Sequence, residues 1–243
     1  MKRKDGLTKI FKLFLGEVAY SMKRDSDDDN VIVQQIRYIS DDEEFNEVKL
    51  NYRGQPEYSA MIKKICEFNP RTEFILTVLT QVVSDKDNKQ IMILGQNKNI
   101  LHYLYQAIEH RNLDTVGYYI GGMKQSQLKL SESKRIILGT YAMAEEALDI
   151  KTLSCLMLVT PRTDVTQAVG RILRVKHKQP LVVDFIDMHP TFQKQAKKRE
   201  SFYKRNRYTM IQSNNRDYPT FQDYHYKQKS TQPKKEYKCL IEL

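Results

Sequence analysis

Ile91-Met92-Ile93-Leu94-Gly95-Gln96-Asn97-Lys98-Asn99 is the stretch on which the fold turns. Four apolar residues in a row, stopped at once by glycine, suit a short strand buried on both faces of a parallel sheet. Gly-Gln-Asn then turns the chain into a helix that runs to about Arg111. Four later runs repeat the pattern: Val116–Ile120, closed by Gly121-Gly122; Arg135–Gly139; Ser154–Val159; and Leu181–Phe185. A short helix is predicted over 124–130. Strand–helix alternation of this kind predicts an α/β architecture, a parallel sheet sandwiched by helices.

In such sheets ligands bind beyond the carboxyl ends of the strands. The residues just after each run are therefore candidate contacts. Gly95, Gln96 and Asn97 open a helix, where backbone N–H groups can hold a phosphate. Gly121 and Gly122 permit close backbone approach. Thr140, after the third run, offers a hydroxyl and an N–H to a phosphate oxygen. Each alone also fits an ordinary strand–helix turn. Four consecutive turns carrying Gly, Asn, Gln or Thr favour an anionic ligand.

Gln167-Ala168-Val169-Gly170-Arg171-Ile172-Leu173-Arg174 follows the fourth run. On a helix, Gln167, Arg171 and Arg174 fall at i, i+4 and i+7, within an arc of roughly 60°. Val165, Val169 and Ile172 form a similar stripe on the opposite side. Gly170 lies beside the polar stripe, where a missing Cβ leaves room. One side docks on a core; the other aims two guanidiniums and an amide outward. That suits a triphosphate or a pair of carboxylates, and equally a helix whose arginines pair with surface acids.

Upstream, Leu7–Gly16 shows helical periodicity closed by Gly16. Asp25–Asn30 resembles a calcium loop only at first glance: Asn30 stands where glycine is needed and Ile36 where glutamate is needed. Val31–Tyr38 and a short segment near Glu47–Asn51 predict a hairpin. Tyr58–Glu67 and Arg71–Ser84 predict helices, separated by Asn69-Pro70. Downstream, 191–208 predicts a basic helix. The domain reading is a lead-in over 1–84 with hairpin and helices packed on the core, an α/β domain over 85–208, and a basic aromatic tail over 209–243, disordered in part.

The chain has 243 residues, 40% hydrophobic and 29% charged, with a net charge of +10. Of that charge, +8 lies in residues 191–243, which hold 13 Lys/Arg and 5 Asp/Glu. A basic end of this size favours nucleic acid as partner, though solvated lysines on a helix packed on the sheet fit too. Cys66, Cys155 and Cys239 are odd in number and widely spaced. They form no disulfide framework or metal pair, so a reducing, cytoplasmic setting is expected and no metal site. No run approaches 18 apolar residues, so no membrane span is expected.

Two absences narrow the function. No GxxxxGK[ST] loop occurs, and no acidic pair of the DExx kind follows a strand. The phosphate cradle and magnesium ligand of a P-loop NTPase are missing. Arginines without a P-loop are suited to completing a nucleotide site on another domain.

Gln167–Arg174 resembles motif VI (QxxGRxxR) of superfamily 2 helicases. Ile137-Leu138-Gly139-Thr140-Tyr141-Ala142-Met143-Ala144-Glu145-Glu146-Ala147-Leu148-Asp149-Ile150 resembles their motif V, with Ala147 where glycine is usual. Ile91–Gln96 stands in the place of motif IV, and Val183–Asp187 resembles the strand that follows motif VI. The segment Lys4–Gly16 is similar to the one after motif III in helicases of large cytoplasmic DNA viruses of the poxvirus and asfarvirus type. The resemblance covers about residues 85–205. It implies a RecA-like helicase C-terminal domain preceded by a RecA-like domain that binds ATP and Mg2+. It implies arginine fingers at Arg171 and Arg174, with Gln167 relaying nucleotide state. Asp149 would contact the ribose or order a finger, with Gly170 beside it. Thr140, Gly95, Gln96, Asn97, Gly121 and Gly122 would line a DNA or RNA strand. The function so implied is the second motor domain of an ATP-dependent helicase or translocase, inactive by itself, in host cytoplasm, viral factory or virion. The alternatives are a non-catalytic nucleic-acid-binding or interaction module on the same fold, and a self-sufficient α/β hydrolase. The latter is disfavoured by the missing P-loop.

Overall fold

The computed structural model describes residues 8–16, 31–85, 87–146, 150–172, 175 and 177–218. Helix α1 (Thr8–Leu15) ends at Gly16, whose φ of +78° is the left-handed stop that glycine supplies. Strand β1 (Ile32–Tyr38) is followed by a single helical turn α2 (Glu43–Asn46), capped by Asp42, then α3 (Tyr58–Glu67) and α4 (Asn69–Val83). The predicted alternation begins with β2 (Gln90–Gly95) and α5 (Lys98–His110). It continues through β3 (Val116–Tyr119), α6 (Gln125–Glu132), β4 (Ile136–Thr140), α7 (Tyr141–Glu146), β5 (Leu153–Leu158), α8 (Thr166–Ile172) and β6 (Leu181–Asp187). Helix α9 (Pro190–Arg205) and strand β7 (Thr209–Asn214) close the described chain.

The strands form one sheet in the order β3-β4-β2-β5-β6-β1-β7, and every pairing is parallel. Alternate residues of each strand feed two cores. Ile91, Ile93, Leu138, Met157 and Phe185 pack under α3, α4 and α5 with Ile65, Leu76, Leu79 and Leu104. Met92, Leu94, Ile137, Leu156 and Val182 pack under α7, α8 and α9 with Ala144, Val169 and Tyr203. This is the sandwiched α/β sheet that the apolar runs predict.

Two expectations fail. Val31–Tyr38 is no half of a hairpin. β1 lies inside the sheet between β6 and β7, with Ile32 opposite Leu181 and Thr209. Residues 47–51 form no strand; only the isolated antiparallel bridge Leu50–Pro56 occurs there. Gln34 and Gln35 lie on opposite faces of β1, and neither faces solvent. Both are buried, at 4% and 2% exposure, because Gln35 bonds Asp184 and Gln34 bonds Tyr218 across neighbouring elements. Buried amides are tolerated where a partner satisfies them. The segment from 209 adds a strand to the sheet. Thr209–Asn214 is an edge strand, and Tyr218 packs on Phe74; residues 219–243 lie outside the described part. Among the described residues no helix is long and apolar enough to cross a membrane.

Candidate functional site

The register aligns the carboxyl ends of the central strands. Gly95 pairs with Thr140, and Leu94 with both Gly139 and Leu158. The candidates Gly95, Gln96, Asn97 and Thr140 therefore share one edge, with Gly121 and Gly122 beyond the end of β3. Asn97 and Thr140 are half-buried, and Gln96, Gly121 and Gly122 are exposed. Not every predicted donor is open. The Gln96 N–H donates to Thr160 Oγ1 at 2.9 Å. Asn97 acts as the N-cap of α5, its Oδ1 accepting from the Asn99 N–H at 2.8 Å. Gly122, at φ +92°, makes the turn after β3.

Helix α8 docks as its pattern predicts. Val165, Ala168 and Val169 are at most 2% exposed, while Gln167 is exposed and Arg171 half-buried. A Cβ at Gly170 would meet nothing within 4 Å, so the space beside the polar stripe is open. Arg171 Nη2 donates to the Glu145 carbonyl at 2.8 Å, and Arg162 Nη2 donates to the Glu145 carboxylate at 2.9 Å. Thr140 and Glu145 stand at opposite ends of α7, about 8 Å apart along a helix axis. The structure thus joins the Thr140 end of the sheet to the arginine helix through one short helix. Arg174 and Asp149 lie outside the described residues.

Sequence reasoning missed the residues that hold this edge. Four successive carbonyls of the β5–α8 segment each accept a side-chain bond from a different helix. Val159 O accepts from Arg71 of α4 at 2.8 Å, and Thr160 O from Tyr141 of α7 at 2.7 Å. Pro161 O accepts from Tyr58 of α3 at 3.2 Å, and Arg162 O accepts from Arg199 of α9. Arg71 and Arg199 are each 1% exposed and each pairs with an aspartate of β6. Arg71 bonds Asp187, with Nη2–Oδ2 at 2.9 Å, and Arg199 bonds Asp184, with Nη2–Oδ1 at 2.8 Å. Burial alone would lower the Arg199 value, but Asp184 outweighs it and raises it above the ordinary range. Burial likewise pushes the Tyr141 phenol up, so it stays protonated and donates to Thr160.

A signal for these residues was present. Arg199 shares 4-3-4 spacing with Phe192, Ala196 and Tyr203; Arg71 shares it with Ile75, Val78 and Val82. A cation on an apolar stripe must meet a buried anion, and Asp184 and Asp187 sit in an otherwise apolar strand.

The arrangement offers cations and amides and lacks a metal cradle. Among the described residues no group of three or more His, Cys, Asp or Glu could hold an ion. This donor set of cations and amides suits a polyphosphate. Cys66 and Cys155 are buried free thiols, pushed up by burial to about 11 and about 12.

No protein-family model matches the chain. It is 36% identical over 217 residues to the protein named "Putative ATP-dependent RNA helicase L396" of Acanthamoeba polyphaga mimivirus, covering 86% of this chain and 41% of that protein. It is 23% identical over 219 residues to "Putative helicase 161L" of Invertebrate iridescent virus 6, covering 84% of this chain and 47% of that one. The chain thus spans less than half the length of these relatives. Among solved structures, phage T4 UvsW matches with a TM-score of 0.58 at 20% identity, over 76% of this chain and 42% of UvsW. The C-terminal domain of Dbp5 matches with a TM-score of 0.53 at 13% identity, over 83% of this chain and 99% of that domain. The chain shares its fold with the C-terminal domain of the DEAD-box protein Dbp5.

Proposed function

We propose that the chain works as the second motor domain of an ATP-dependent nucleic-acid helicase or translocase. One observation carries this reading. Gln167 and Arg171 stand on a docked helix at the carboxyl edge of the sheet, one short helix away from Thr140. Similarity to viral proteins with helicase names supports it.

In this reading Arg171, with Arg174, meets the γ-phosphate of an ATP held by a P-loop domain. This chain has no P-loop, so ATP and Mg2+ rest mainly on that other domain. When bound, ATP supplies the free energy of phosphoryl transfer. The part of this chain is to neutralise charge that develops on the transferring phosphoryl group, worth about 10³–10⁵ in rate. Gln167 senses the closed interface, and Asp149 orders the ribose or a finger. The open space beside Gly170 leaves room for the partner surface. Thr140, Gly95, Gln96, Asn97, Gly121 and Gly122 form a track for a DNA or RNA strand. Such a track grips phosphates and reads few bases. Opening and closing of the interdomain cleft steps the grip along the strand. The work is cytoplasmic, in a virus-infected host.

The test is kinetic. Residues 1–243 alone show no strand-stimulated ATP turnover, and turnover by this chain overturns the division of labour. In the intact helicase Arg171→Ala lowers strand-stimulated ATP hydrolysis by about 10³-fold or more, while strand affinity stays within about threefold. Unchanged turnover removes the finger assignment. Binding of single strands by the chain falls steeply with salt.

A further inference from the structure

The Tyr58 hydroxyl occupies a junction that none of the site residues above explains. It lies 3.2 Å from Gln96 Oε1 and 3.2 Å from Pro161 O, and it accepts from Gln195 Nε2 at 3.4 Å. A phenol has one proton to give, so two equidistant acceptors share a single donor. One acceptor is the side chain of Gln96 in the β2–α5 turn. The other is the main chain at the root of α8. The two segments are already joined, since the Gln96 N–H is held by Thr160, next to Pro161. Gln195 adds nothing else to hold the junction from α9, because its Oε1 is buried without a partner.

A carboxamide carries its oxygen and nitrogen on one carbon, so fixing the oxygen fixes where the NH2 group points. We propose that Tyr58 is a positioning residue for strand binding. Its hydroxyl holds Gln96 Oε1 so that the Gln96 Nε2 donors are presented to a backbone phosphate, and its second acceptor, Pro161, links that contact to the segment carrying Gln167 and Arg171. The proposal rests on the reading of Gln96 as a strand contact given above. Tyr58 itself touches no phosphate. Its effect is to remove the freedom that Gln96 would otherwise lose on binding, a cost that pre-organisation saves. When the phenol proton turns to Pro161, Gln96 is released. Strand grip and the mount of the arginine helix thus compete for one proton.

The experiment is a double-mutant cycle on the 243-residue chain, reading anisotropy of fluorescein-labelled 20-nucleotide oligo-U and oligo-dT at low salt. Tyr58→Phe keeps the ring, which packs edge-on against Phe192 at 5.9 Å between centroids, and removes only the hydroxyl. The expected result is that Tyr58→Phe weakens binding about three- to tenfold. Gln96→Ala weakens it at least as much, and the double variant binds no worse than Gln96→Ala. The Gln96 side-chain NH2 pair in a ¹H–¹⁵N spectrum, assigned through Gln96→Ala, should also shift in Tyr58→Phe without any oligonucleotide present. A purely structural role would lower the melting temperature and multiply with Gln96→Ala. Wild-type affinity in Tyr58→Phe, multiplying losses, or an unmoved Gln96 NH2 pair each overturns the proposal. If wild type binds and Gln96→Ala is silent, this inference falls while the motor-domain reading stands. If wild type binds neither strand, both fall.

Discussion

The β5–α8 segment and the β3–α6 turn both leave the carboxyl edge of the same sheet, and they are held in opposite ways. From Val159 to Arg162 every carbonyl is bonded by a side chain from a different helix, and two of those side chains are arginines anchored on buried aspartates. From Ile120 to Lys124 the chain turns on two exposed glycines, and a Cβ at either would meet nothing within 4 Å. The difference follows from what each turn carries. The first carries α8, whose guanidinium, in the function proposed above, must stand in one place before a partner domain arrives. Pre-organised charge costs no reorganisation at the moment of reaction. The second borders an edge strand and, in the same proposal, adapts to the backbone of a nucleic-acid strand.

The contrast can be broken most severely at its anchors. Arg199→Met leaves Asp184 buried without its main cation, and urea unfolding should show a loss of about 3–5 kcal/mol. A loss under about 1 kcal/mol would mean that the aspartate is not a buried charge. Tyr141→Phe removes one clamp bond and leaves Thr160 O unsatisfied. About 1–2 kcal/mol should be lost, by the same measurement, with the secondary structure by circular dichroism unchanged.

The turn's own strand is anchored at its amino end, where Arg135 Nη1 meets Asp114 at 2.6 Å. Burial pushes the Asp114 carboxyl up, but bonds from the Thr115 N–H and Arg135 outweigh it and hold it below the usual range. A depressed carboxylate contributes stability above its unfolded value near 4 and loses it as pH falls through the folded value. Asp114→Asn should therefore cost about 0.5–1 kcal/mol at pH 7, a penalty that shrinks as the pH is lowered below about 4. A penalty that grows toward acid would contradict this. The smallest effect is expected at Gly121→Ala, within about 0.5 kcal/mol of wild type. A larger cost would show that the β3–α6 turn is as constrained as the β5–α8 segment.

Much of this was legible in the residues, for physical reasons. Ile91–Leu94 and its four companions could only be strands covered on both faces, and the Val165–Val169 stripe could only be a docked helix. Val31–Tyr38 showed itself as a strand, but not its partners: a nearby segment is the default for a hairpin, and the real partners, 181–187 and 209–214, lie more than a hundred residues away. The edge strand β7 was hidden in a basic context. Among candidate contacts, Asn97 reads equally as phosphate donor or helix cap, and the structure uses its side chain as the cap. Tyr58 carried no signal at all: it reads as the first residue of a helix, and only the fold brings it to Gln96 and Pro161. Arg71 and Arg199 did carry one, in cations placed on apolar stripes.

The position of β1 has a consequence for how the molecule is made. Its partners are residues 181–187 and 209–214, so Ile32–Tyr38 pairs only with strands synthesised well over a hundred residues later. At typical translation rates that is a wait of roughly 10–30 s. Throughout it, Val31, Ile32, Val33 and Ile36, all buried in the finished fold, have no sheet to enter. The strands from β2 to β5 all find partners within residues 90–158, but the sheet is closed by its oldest strand, inserted late between two of its youngest. A nascent chain arrested before residue 181 should therefore expose this segment to chaperones, and release of the full described length should hide it.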